Sequence, residues 1–141
     1  MKRLKSYKIF NESIDLFMSI IKDKLLELSD IGFLSYVEDK NDEPLLEDMI
    51  RITVEKSYKR SDRTFEFSEC KDSMEDLILT NKEMGYYGIY HLVITPENGY
   101  NSVRLVYKDG IFYPEGNTNP NLNYIGKLKR VELFFEYPTI K

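Results

Sequence analysis

The sequence predicts an α+β fold: one twisted antiparallel sheet of about five to seven strands, an N-terminal helix packed on one face, and a second, shorter helix. Three observations predict it. Phe10, Ile14, Phe17, Met18, Ile21, Leu25 and Leu28 recur at steps of three and four, the spacing of one helix face. Later segments alternate apolar and polar residues, as strands with one wet face do. Short turn-forming runs separate those segments, and short connections imply antiparallel pairing.

The first helix is predicted from about Lys8 to Leu28, with Asn11 or Ser6 as candidate caps and Gly32 just past its end. Its apolar stripe is too wide for a helix alone in water, so it must pack on a sheet or a partner. Ile31–Val37 is the candidate first strand, and polar Glu38–Pro44 reads as a loop. In Asp48–Ser57, Ile50, Ile52 and Val54 point one way while Arg51, Thr53 and Glu55 point the other. Lys59–Arg63 reads as a polar turn and Thr64–Phe67 as a returning strand, which together predict a hairpin.

Ser68 or Asp72 is expected to cap a second helix that runs to about Lys82, with Met74, Leu77 and Ile78 as its stripe and Gly85 as its stop. Acids at Glu69, Asp72, Glu75 and Asp76 suit the positive end of that helix dipole. Tyr86–Thr95 is apolar on both parities, which predicts a central strand covered on both sides. Pro96-Glu97-Asn98-Gly99 turns it into a partner strand, Ser102–Lys108, and the rest of the chain is expected to pack around this pair. Asp109-Gly110 signals a tight turn into a short strand, Ile111–Tyr113. Pro114–Asn123 reads as an exposed loop. Lys129–Tyr137 alternates again, with Val131, Leu133, Phe135 and Tyr137 opposite Arg130, Glu132, Phe134 and Glu136.

A chain of 141 residues without an internal repeat or linker reads as a single domain, 1–141. No apolar run approaches the roughly 20 residues that span a bilayer, so no membrane partner is expected. The basic start MKRLKSYKIF is followed at once by polar residues, so no secretory signal is expected. The single cysteine, Cys70, excludes an internal disulfide and fits a reducing, cytoplasmic setting. A net charge of −4 argues against a general nucleic-acid binder.

No catalytic motif emerges. His91, the only histidine, lies within the apolar strand, where a core or cross-strand role competes with that of a base. Cys70 lies near a predicted helix start, where a thiol pKa can fall. With one cysteine and one histidine, a structural zinc site is not available, and Asp39-Lys40-Asn41-Asp42-Glu43 lacks the glycine and spacing of a calcium loop. Gly85-Tyr86-Tyr87-Gly88 is not a phosphate loop, because it precedes a strand and carries no lysine. Lys56-Ser57-Tyr58-Lys59-Arg60, with Arg63, mixes basic and aromatic residues as a nucleic-acid contact surface does, in composition only, and the acidic balance of the chain favours a basic hairpin tip instead. The sequence therefore predicts no metal, no cofactor and no enzymatic activity.

Two features remain. Glu38, Asp39, Asp42, Glu43, Glu47 and Asp48 concentrate acid against Lys40 alone, which is either a solvated loop or a face for a basic partner. There are 11 tyrosines and no tryptophan, and tyrosine serves both sheet faces and protein interfaces. In size, charge and element order the chain resembles the small acidic α+β immunity proteins of bacterial toxin–immunity systems. That resemblance has no motif and assigns no individual residue. It implies a protein partner, most simply a basic toxin domain such as a nuclease, blocked by occlusion of its active site. On the residues themselves, the candidate partner-binding set is Glu38, Asp39, Asp42, Glu43, Glu47 and Asp48 with Tyr36 and Tyr58. The alternatives are another small regulator or phage-encoded inhibitor of a host complex and, third, a small enzyme using His91 or Cys70.

Overall fold

The three-and-four spacing that begins near Phe10 forms a helix, α1, over Lys2–Asp30. It appears in a computed structural model that describes residues 2–39, 49–56, 63–84, 89–97, 101–116 and 125–136. The helix stops where Gly32 takes φ +94, a left-handed value natural to glycine, while the Ile31 and Gly32 N–H groups donate to Leu28 and Ser29. The chain then enters β1 (Phe33–Asp39) and returns as β2 (Met49–Lys56). A short 3-10 turn (Phe67–Glu69) leads into α2 (Lys71–Met84). Four strands complete the fold: β3 (Ile89–Pro96), β4 (Val103–Lys108), β5 (Ile111–Pro114) and β6 (Leu128–Glu136). Asp109 and Gly110 join β4 to β5 with φ +53 and +80, and positive values at both positions make the mirror-image turn expected of Asp-Gly.

All pairings are antiparallel, in one six-stranded sheet ordered β1-β2-β6-β3-β4-β5. The α+β architecture is the one the sequence predicts. Its organisation differs in three ways. First, the Thr64–Phe67 return is not a hairpin with β2. Phe65 instead makes an isolated bridge to Leu128, and β2 is already paired on both sides, by β1 and β6. Second, β3 is central, as expected, but its long partner is the distant β6 rather than β4: it pairs with β6 along its whole length and with β4 only from Leu92 to Ile94. Third, no described element covers the second face of β3. Leu92 and Ile94 are buried, whereas His91 and Val93 are half-buried on the other side. Tyr86 and Tyr87, part of the original case for a doubly covered strand, lie outside the described residues.

Both helices lie on one face. Side chains alternate along a strand, so Ile50, Ile52 and Val54 of β2, Val131, Leu133 and Phe135 of β6 and Leu92 and Ile94 of β3 share that face. They bury against Phe17, Ile21, Leu25 and Leu28 of α1 and Met74, Leu77 and Ile78 of α2. Phe17 meets Phe135 edge-on at 5.7 Å, and Phe67 meets Phe112 of β5 likewise at 5.2 Å. Polar contacts fix the helices in place. Lys24 of α1 reaches Asp76 of α2 at 2.8 Å. The Tyr107 hydroxyl donates to Glu75 at 2.8 Å. The Tyr90 hydroxyl accepts from the Tyr107 N–H at 2.7 Å and donates to its carbonyl at 2.9 Å. The Glu75 carboxylate raises the Tyr107 hydroxyl pKa, and burial raises that of Tyr90.

Candidate functional site

The face turned away from the helices is the candidate site. Strand register arranges its side chains in rows across the sheet. One row runs Glu38–Arg51–Phe134–His91 from β1 to β3, and the β3–β4 register places Val106 and then Tyr113 next in line. A second runs Tyr36–Thr53–Glu132–Val93–Arg104, with Glu115 beyond. A third holds Leu34 opposite Glu55, with Arg130 opposite Thr95 further along. These residues form strands for the same reason as their inner-facing neighbours: alternation places every second side chain here.

Charge dominates the β1–β2–β6 part. Arg51 contacts Glu38 at 2.7 Å and lies 3.9 Å from Glu132. Arg130 lies 3.2 Å from Glu132 and 4.0 Å from Glu55. Glu38, Arg51, Glu132, Arg130 and Glu55 thus form one chain of ion pairs over three strands. Glu132, at its centre, has a side chain only 17% exposed. Glu136 stands apart, with His91 Nε2 at 3.6 Å. Glu38, Glu55, Glu132 and Glu136 face Arg51 and Arg130, so carboxylates are in excess. Toward β4 and β5 the face is mixed: Val106 and Ile111 are exposed apolar residues, while Arg104 pairs with Glu115 at 3.5 Å and Lys108 stands on the same side of β4.

The predicted partner-binding residues divide accordingly. Tyr36 and Glu38 are on this face, Tyr36 exposed and Glu38 in the ion-pair chain. Asp39 ends β1, opposite Ile50. Asp42, Glu43, Glu47, Asp48 and Tyr58 lie outside the described residues. The sequence reading missed Glu55, Glu132, Glu136, Arg51 and Arg130 as a set. Their outward parity was legible; that β2 and β6 are neighbours was not.

The two reactive side chains do not meet. His91 is on the open face, whereas Cys70 is buried in the core at the start of α2, where its thiol bonds the Phe67 carbonyl at 3.6 Å. Burial, reinforced by Glu69, pushes the Cys70 thiol up to about 12, away from the lowered value expected of a helix-start nucleophile. Lys56 is also buried, over the Phe33 ring at 4.2 Å and 3.3 Å from Glu69. Among the described residues, no three histidine, cysteine or acidic side chains are grouped to hold a metal, and no helix is long and apolar enough to cross a membrane. Chemically, the arrangement is suited to binding: a broad surface of fixed charges and aromatic edges. The chain matches no protein-family model, no curated protein and no solved structure.

Proposed function

We propose that this chain is a protein-binding inhibitor of the immunity type, which neutralises a cognate bacterial toxin by occluding its active site with the open face of the sheet. The observation that carries the reading is the one-sided build: both helices close one face, and no described element closes the other, which holds an excess of carboxylates beside Tyr36, Phe134 and Val106. Charge complementarity argues for a basic partner, such as a nuclease domain, and fixed charges on a rigid sheet favour fast, oriented association. By sequence, Asp42, Glu43, Glu47 and Asp48 add acid between β1 and β2. The lone cysteine supports action in a reducing cytoplasm.

The test is protection. The reading requires that the gene beside this one encode a toxin and that co-expression of this chain keep cells alive. Reversing Glu38, Glu55 and Glu136 to lysine is expected to weaken the complex at least tenfold and to remove protection. A neighbouring gene with no toxic activity, or full protection by the reversed variant, overturns it. Capture of a host complex instead moves the assignment to a phage-type inhibitor.

A further inference from the structure

We infer that the leading ionic contact of the partner is an arginine seated at Glu136 across the Phe134 ring. The inference rests on the reading of the open face as the partner-binding surface and assigns the chemistry of one contact within it.

The acids of this face are not equivalent. Glu38, Glu132 and Glu55 each already lie within 4.0 Å of an arginine of the chain itself. A cation arriving there must displace Arg51 or Arg130, so little is gained by the exchange. Among the described residues, Glu136 contacts no arginine, and the ionic neighbour it has there is His91 at 3.6 Å, which is charged only when protonated. Its side chain is 40% exposed, against 17% for Glu132, so among the described residues it is both accessible and less compensated than Glu38, Glu55 or Glu132.

The surroundings of Glu136 favour a guanidinium. Phe134 lies two residues earlier on β6, on the same face, and directly opposite His91. Val106 and Tyr113 continue that row with apolar surface. A planar guanidinium can lie over the Phe134 ring while its N–H groups donate to the Glu136 carboxylate. A lysine ammonium makes the charge contact but lacks the flat face that stacks. An arginine held between a ring and a carboxylate, with part of its water removed, is the type of contact that dominates protein interfaces.

The probe is acetyl-arginine methylamide, with the citrulline analogue as its neutral isostere, titrated into the isotopically labelled full chain and followed by NMR. The arginine compound is expected to shift the signals of His91, Phe134 and Glu136. Citrulline is expected to leave them unmoved. Glu136→Gln is expected to abolish the response and Glu55→Gln to leave it unchanged. Shifts centred on Glu38 and Glu55, an equal response to citrulline, a response that survives Glu136→Gln, or no response at all overturns the assignment. Those outcomes leave the inhibitor reading standing, because that reading is overturned by a neighbouring gene without toxic activity or by full protection from the reversed variant, and neither is measured here.

Discussion

Phe134 and Phe135 are consecutive on β6, yet they belong to different regions of the molecule. Phe135 is fully buried against Phe17 of α1. Phe134 is half-buried on the open face, between Arg51 on one neighbouring strand and His91 on the other. The same contrast runs along β2, where buried Ile50 and Ile52 flank Arg51. On the helix side, packing is apolar almost throughout, and the strands are held by area removed from water. On the open side, the neighbours are charges linked from strand to strand. The comparison teaches that one face specifies the fold and leaves the other at liberty to carry recognition chemistry.

Truncating the two phenylalanines is the most forceful way to break this comparison. Phe135→Ala is expected to lower stability by about 3–5 kcal/mol, because a buried ring is lost and α1 cannot close the gap. Phe134→Ala is expected to cost about 1 kcal/mol or less, as an outward side chain with water on one side. Urea denaturation of both variants measures the difference. Equal losses would mean that the open face is packed as tightly as the core.

A second test sharpens the helix side through pH. The Cys70 pKa rises from 9.0 to about 12 on folding, chiefly through burial. Above pH 9 the unfolded chain gives up this proton while the folded chain keeps it. The unfolded state then binds fewer protons, so stability falls as pH rises. The contribution is fully present below pH 9 and is lost as pH climbs from about 9 to about 12. Urea midpoints of wild type are therefore expected to drop faster over that window than those of Cys70→Ala. Parallel curves would show that the thiol is not buried in the native state. The same burial predicts that Cys70 resists alkylation at neutral pH until the chain unfolds.

Local features were legible in the sequence and distant ones were not. The α1 stripe, the Asp109-Gly110 turn and the alternation in β2, β4 and β6 follow from residues within a few positions of one another. Neighbour relations in the sheet do not. Nothing within β2 records that its second partner is β6, some eighty residues away, yet that pairing assembles the ion-pair chain from Arg51 and Glu132. The same gap explains the misassigned hairpin: Thr64–Phe67 has strand-like alternation, but the backbone hydrogen bonds of Phe65 go to Leu128. His91 and Val93 misled for a related reason. An apolar residue on a wet face is covered in part by long side chains of adjacent strands, and periodicity alone cannot distinguish that from a second layer.

The smallest expected effect bears most on function. Glu132→Gln removes the central acid of the ion-pair chain but strands neither arginine: Arg51 keeps Glu38 at 2.7 Å and Arg130 keeps Glu55 at 4.0 Å. Pairs at a sheet surface are individually weak and salt-screened, so the loss is expected to be about 1 kcal/mol or less, shrinking as salt is raised. Urea midpoints at low and high ionic strength measure it. A loss approaching that of Phe135→Ala would show that the network holds strands together and is there for stability. A small, salt-sensitive loss fits charges held in place by one another, each oriented before a partner arrives. In the proposed complex, such preorganisation would spare the entropy of ordering those side chains at the moment of binding.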